Sequence, residues 1–195
     1  MRTTKHQAAL VLLGGVDVDP QAFLRRYGLE ESFRRYMEAT GARHVDWGKE
    51  VLVPPADKVD HWTRAGSPSL VPPLEHWDGA AALVALVMRL RRKVRTWIAY
   101  RYVYRPRPFN VAVGGAANSD HLYACAADLV FPSNRTRLIA LGELRPLWTC
   151  GLLGLSIGTV GADYESRKMH VGVWAPATVQ RGQRRWVYGP GDDVW

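Results

Sequence analysis

Cysteine is nearly absent from this chain. Cys125 and Cys150 are the two in 195 residues, too few and too far apart for a disulfide framework or a thiolate zinc site. Cys125, with alanine on both sides, reads as a small buried thiol. Long apolar runs are missing too: none approaches the roughly 18–20 residues that span a bilayer. Ala8 to Val16 follows Arg2 and Lys5 in the order of a secretory signal, but it is short, and Asp17 and Asp19 fall where cleavage needs small residues. It reads instead as the start of a buried strand or helix. Internal repeats and low-complexity tracts are lacking, which excludes a solenoid. Acidic residues are in deficit, 18 against 26 lysines and arginines, for a net charge of +8 and a pI near 9.8. That balance favours an acidic partner such as nucleic acid, a cell-wall polymer or a phosphate-rich envelope. No compact nucleic-acid motif accompanies it. The bases are dispersed, and the cluster Arg89 to Arg95 lies on a helical pattern as a solvated face, with a second small cluster at Arg181 to Arg185. Nucleic acid is therefore not the expected partner.

What is present is the composition of an ordinary soluble globular protein, 47% hydrophobic and 23% charged. The length suits one domain with a full core and a smaller appended segment. The chain divides near Ser67 to Pro73, giving an N-terminal helical and extended segment over residues 1–70 and a domain over residues 71–195. In the first part, Asp19-Pro20 opens a helix that ends near Gly28, and Glu30 to Thr40 forms a second, closed by Gly41. Pro54-Pro55 and the Gly/Ser/Pro-rich stretch Ala65 to Pro73 break regular structure. His44, His61, Asp46, Asp57 and Asp60 sit here at no metal-ligand spacing and are expected to face solvent or pack.

From Leu74 the texture changes. Trp77, Ala80, Ala81, Val84, Val87, Met88 and Arg91 recur in steps of three and four, predicting an amphipathic helix over 75–94. Thr96 to Val103 reads as a strand, and Pro106 and Pro108 then predict a loop. Gly114-Gly115 and Asn118 mark a turn. Ala126 to Phe131 is a second strand, Arg135 to Leu147 a helix, and Leu155 to Val160 and His170 to Val173 are further strands. The expected class is α+β, a small antiparallel sheet with flanking helices.

His121, Asp128 and His170 carry the chemistry. Two imidazoles and one carboxylate, with a fourth position open to water, make the donor set of a hydrolytic zinc site rather than a structural one. His121 and Asp128 are seven residues apart, wrong for adjacent helical turns but suited to a ligand on a loop and another at the start of a strand. Ala124, Cys125, Ala126 and Ala127 let the backbone pass close beneath a metal. Taken alone, the spacing equally describes satisfied polar side chains.

The context is wider. Tyr104-Arg105-Pro106-Arg107-Pro108-Phe109-Asn110, then Val113-Gly114-Gly115-Ala116, Asn118-Ser119-Asp120-His121-Leu122, Ala126-Ala127-Asp128 and Met169-His170-Val171 stand in one order. Over roughly residues 74–175 the series resembles the M15 peptidases, the zinc D-alanyl-D-alanine carboxypeptidases and related phage endolysins, whose hedgehog/DD-peptidase fold it implies. The resemblance assigns His121, Asp128 and His170 as ligands of Zn2+. It assigns Arg105 to the scissile carbonyl or a substrate carboxylate, and Ser119 to substrate or to the orientation of His121. Two positions depart from the family. Ala124 replaces a usual glycine, which a negative φ would accommodate. Relatives carry a carboxylate three residues before the last histidine or two after it, where this chain has Arg167 and Gly172. Glu165, in Tyr164-Glu165-Ser166 and faintly like the matching region of hedgehog domains, is the candidate general base.

The resemblance implies a zinc peptidase acting on stem or cross-bridge peptides of bacterial peptidoglycan. It is expected to be phage-borne, in the particle or released to the wall, with residues 1–70 available to other phage structural proteins. Two other readings stay open: a catalytically degenerate structural component of a phage particle or tail, and a hedgehog-like zinc-containing binding module.

Overall fold

The computed structural model describes residues 9–25, 27–42, 45–151, 155–160, 167–173 and 184–188. Glu165 lies outside them. The fold is α+β, as expected, and its sheet has five strands in the order β1-β2-β4-β3-β5: β1 Ala99–Tyr102, β2 Ala126–Val130, β3 Ser156–Val160, β4 Lys168–Gly172 and β5 Arg184–Tyr188. The first four pair antiparallel. β5 adds a parallel edge against β3. Its partner lies far back in the chain, and a parallel neighbour leaves no local turn to read.

Helix α1 (Leu29–Ala39) ends at Thr40, and Gly41 follows with φ +96°. The helix expected from Pro20 to Gly28 is only the turn Gln21–Leu24. A short helix α2 spans Val59–Arg64. Helix α3 (Trp77–Val94) is the long amphipathic one, with Asp78 in its first turn and Arg91, Arg92 and Lys93 in its last, each sign facing the favourable end of the helix dipole. Its apolar stripe, Trp77, Ala80, Leu83, Val84, Val87 and Leu90, is fully buried. Helix α4 (Arg107–Ala112) occupies the stretch where Pro106 and Pro108 predicted a loop. Proline is tolerated there because the first helical turn has no intrahelical use for its N–H. Helix α5 (Asn134–Thr149) starts from a capping box between Ser133 and Thr136 and packs against α3.

Residues before and after position 70 fill one core. Phe33 meets Trp47 and Trp77 edge-on at centroid distances of 5.6 and 5.4 Å. The Tyr36 hydroxyl donates to Asp78 Oδ1 at 2.7 Å, and Trp77 Nε1 donates to the Pro72 carbonyl at 3.0 Å. Leu10, Phe33 and Met37 thus share a buried cluster with Leu129, Phe131 and Val171 of the sheet region. Two acidic residues of the first part have structural work: Asp46 caps the turn Trp47–Val51, and Asp57 pairs with Arg101. Arg91, placed on a solvated face by its sequence, is mostly buried and donates to Glu50 and to the Ile98 carbonyl. Among the described residues no helix is long and apolar enough to cross a membrane.

Candidate metal centre

The sheet register sets two of the three side chains side by side. Asp128 on β2 is the direct partner of His170 on β4 and lies opposite Tyr102 on β1, where the ladder shifts between Tyr100 and Tyr102. Directly opposed residues of an antiparallel pair project to the same face. His121 arrives from the short 3₁₀ turn Asp120–Tyr123 immediately before β2. That turn closes through Ala124, which adopts φ +54°. The condition under which a methyl is accommodated freely, a negative φ, is not met: the turn ends on Ala124 in the left-handed region. The methyl costs about 1–2 kcal/mol of backbone strain there.

One ligand atom from each of His121, Asp128 and His170 lies within 4.8 Å of the others. His170 Nδ1 donates to Asp128 Oδ1 at 2.9 Å, and His121 Nε2 stands 3.3 Å from the same oxygen. The two rings meet nearly edge-to-face at 5.0 Å. His121 Nδ1 lies 3.2 Å from the Val103 carbonyl. A carbonyl only accepts, so Nδ1 carries the hydrogen and the other nitrogen is turned toward Asp128.

The electrostatics sharpen this. Burial pushes the pKa of His121 down, an effect that Asp128 opposes and Arg105 reinforces. Burial alone would raise the Asp128 carboxyl, but the two imidazoles beside it hold it well below the ordinary carboxylate range. His121 Nε2 stands beside an anionic oxygen in a buried space and has no hydrogen-bond partner. Such a contact is relieved by a cation bound to both. Two nitrogens and one carboxylate oxygen are the donor set that zinc accepts, so the residues fit the ion.

Arg105 adjoins this cluster. Its backbone N–H donates to the His121 carbonyl at 3.0 Å, and its guanidinium lies 4.9 Å above the Tyr102 ring. Nη2 donates to Ser119 Oγ at 3.3 Å. Ser119 holds the N-cap position of the 3₁₀ turn, yet its hydroxyl makes no capping bond. The geometry therefore links Ser119 to Arg105 rather than to the turn.

The two positions where a relative's carboxylate would stand hold none. Arg167 is exposed and donates to the Pro132 carbonyl. At Gly172 a Cβ would lie 2.3 Å from Ser156 Oγ, so a side chain there requires Ser156 or the strand to move. That hydroxyl donates to Asp120 Oδ2 at 3.0 Å, and both residues are buried. The reading from sequence passed over Asp120 and Ser156. Asp120 could have been noticed as the acid directly before His121; Ser156, 36 residues away, gave no signal. Nor did the Val103 carbonyl, a backbone group.

Residues 61–153, just under half the chain, match the family model described as Peptidase M15. The match contains Arg105, Ser119, His121 and Asp128 and ends before His170. It supports an M15-family peptidase, with a His-Asp-His cluster compatible with a metal site. No curated protein matches the chain.

Proposed function

We propose that this protein is a zinc-dependent peptidase that hydrolyses peptide bonds of bacterial peptidoglycan. The observation that carries the reading is the meeting of His121, Asp128 and His170, with an unpartnered His121 Nε2 aimed at the Asp128 carboxylate. Zinc held by these three side chains supplies a Lewis acid and a water acidified toward neutral pH. The remaining roles belong to the chain. The Val103 carbonyl holds the His121 imidazole in orientation through Nδ1. Arg105, braced by Ser119 and the Tyr102 ring, presents a planar cation to the oxyanion that develops on the scissile carbonyl, or to a substrate carboxylate. Ser119 also offers its hydroxyl to substrate. Glu165 takes the proton from the attacking water and passes it to the leaving amine.

The basic surface favours an anionic wall, and the resemblance to endolysins favours a phage product, carried in the particle or released to the wall. Residues 1–70 are then the part available for contact with other phage proteins. One observation favours a second reading, a particle component that has lost turnover: neither Arg167, which is engaged with the Pro132 carbonyl, nor Gly172 supplies a carboxylate. The two readings separate on bound zinc and on amine release from purified cell wall, in the wild type and in Glu165→Gln. One zinc per chain, amine release, and loss of that release with zinc retained in the variant support the peptidase. Stoichiometric zinc with no product from any wall type favours the structural component.

A further inference from the structure

Two buried polar groups beside the centre take no part in its donor set: the Asp120 carboxyl and the Ser156 hydroxyl, each residue 5% exposed. Ser156 Oγ donates to Asp120 Oδ2 at 3.0 Å, across 36 residues of chain. Removing a carboxyl from water is costly unless it is hydrogen-bonded, and an apolar pair of the same shape can fill such a space with little loss of stability. A buried polar pair therefore calls for a geometric reason.

The strand register supplies one. Ala126, Gly172 and Ser156 form one row across β2, β4 and β3, and Asp128, His170 and Gly158 form the row two residues along each strand. Residues two apart in a strand share a face, so Ser156 projects from the face that carries Asp128 and His170. Gly172 has no side chain, and Ser156 Oγ occupies the space above it, 2.3 Å from where a Cβ would stand. From there the hydroxyl reaches Asp120, in the turn that delivers His121.

That turn is weakly held by itself. It is a single 3₁₀ turn, and the bond from the Ala124 N–H to the His121 carbonyl is long at 3.3 Å. Bonds from outside fix it. The Arg105 N–H donates to the His121 carbonyl at 3.0 Å, and the Val103 carbonyl faces His121 Nδ1; both residues follow β1. The Cys125 thiol, a weak donor, adds a contact to the Asp120 carbonyl at 3.4 Å. From the other side comes Ser156, on the strand paired with the one that bears His170.

We propose that Asp120 and Ser156 are positioning residues for the metal centre: their hydrogen bond sets His121 at the separation from Asp128 and His170 at which all three bind one ion. The proposal rests on the metal-centre reading and deepens it. It also gives a reason for glycine at 172, where a side chain would compete with the hydroxyl for space.

The test uses the full-length protein and zinc ion, titrated against a competing chelator, in wild type, Ser156→Ala, Asp120→Ala and Asp120→Asn. Circular dichroism and urea midpoints of the metal-free forms keep folding separate from binding. Asparagine retains an acceptor oxygen without the charge, whereas Ser156→Ala retains the carboxyl without the bond. Ser156→Ala and Asp120→Ala are expected to weaken zinc binding on the order of tenfold, the lower end of the loss when an orienting partner of a metal ligand is removed. Asp120→Asn should bind close to wild type. Cobalt(II) loaded in place of zinc should show altered visible absorption in the two alanine variants and the wild-type spectrum in Asp120→Asn. Equal zinc affinities and cobalt spectra in all four proteins, with only the urea midpoints lowered, make the bond purely structural and overturn the proposal. So does weakening in Asp120→Asn with none in Ser156→Ala, which traces the effect to charge. A wild type that takes up no zinc sinks the metal-centre reading and the proposal with it. Zinc binding that depends on the bond, without amine release from cell wall, upholds the proposal while the peptidase reading fails.

Discussion

Gly172→Ala places a methyl where Ser156 Oγ stands, 2.3 Å away, with Ala126 Cβ and the Cys125 carbonyl oxygen each at 3.3 Å. The structure has two ways to respond. Ser156 can rotate, which breaks its 3.0 Å bond to Asp120 Oδ2 and deprives a buried carboxylate of a donor, at about 1.5–3 kcal/mol. Alternatively β4 can move, an overpacking response worth about 1–3 kcal/mol, and it carries His170 with it. Either route gives an expected loss of about 2–3 kcal/mol. Ser156→Ala alone forfeits the same hydrogen bond and should cost about 2 kcal/mol. The double variant is the informative one. With the hydroxyl gone the new methyl has space, so the two losses should fall short of their sum by at least about 1 kcal/mol, as expected for residues in contact. Urea denaturation of the metal-free protein, comparing midpoints at constant slope, gives the three values. Losses that add to within about 0.5 kcal/mol would show that Ser156 and position 172 do not compete for one space.

Three further outcomes are expected. Asp128→Asn should reduce bound zinc from one per chain to nearly none; zinc at a hundredfold excess over Kd, which should stabilise the wild type by about 2.7 kcal/mol, should leave the variant's melting unchanged. Partial burial would raise the Glu143 carboxyl, but the guanidinium of Arg89, with Lys93, holds it below its ordinary 4.5. A depressed carboxylate stabilises fully above its unfolded pKa and loses that contribution as pH falls through the folded one, so Glu143→Gln should flatten stability loss below about pH 4.5, seen in denaturation midpoints across pH. Ala124→Val puts a β-branched residue at φ +54° in a fully buried position and should cost at least about 2 kcal/mol, whereas Ala124→Gly, trading relieved strain against a lost buried methyl, should stay within about 1 kcal/mol by the same assay.

The histidines and the aspartate were legible because their residue types and order survive as text. The long helix at 77–94 was legible because an apolar stripe at helical spacing is local information. What escaped was non-local or backbone-borne. The pairing of Asp128 with His170 depends on strand register, not on either segment by itself. The proton on His121 Nδ1 is set by a carbonyl whose side chain, valine, says nothing about it. The dipeptides around Pro106 and Pro108 mark a boundary, but sequence alone does not say which side of it is helical. Arg184–Tyr188 has strand composition, yet a parallel mate at Ser156–Val160 is not written in either stretch.

Because Asp128 and His170 face each other across a ladder, the centre inherits the arithmetic of pleats. Inserting one residue into β2 ahead of Asp128 would turn the carboxylate to the opposite face of the sheet, and no rotamer brings it back. The excursion from the end of β2 to the start of β3, with the whole of α5 inside it, carries no such register constraint. Lineages of this fold are free to lengthen that excursion at will, while the few residues of β2 and β4 keep their count.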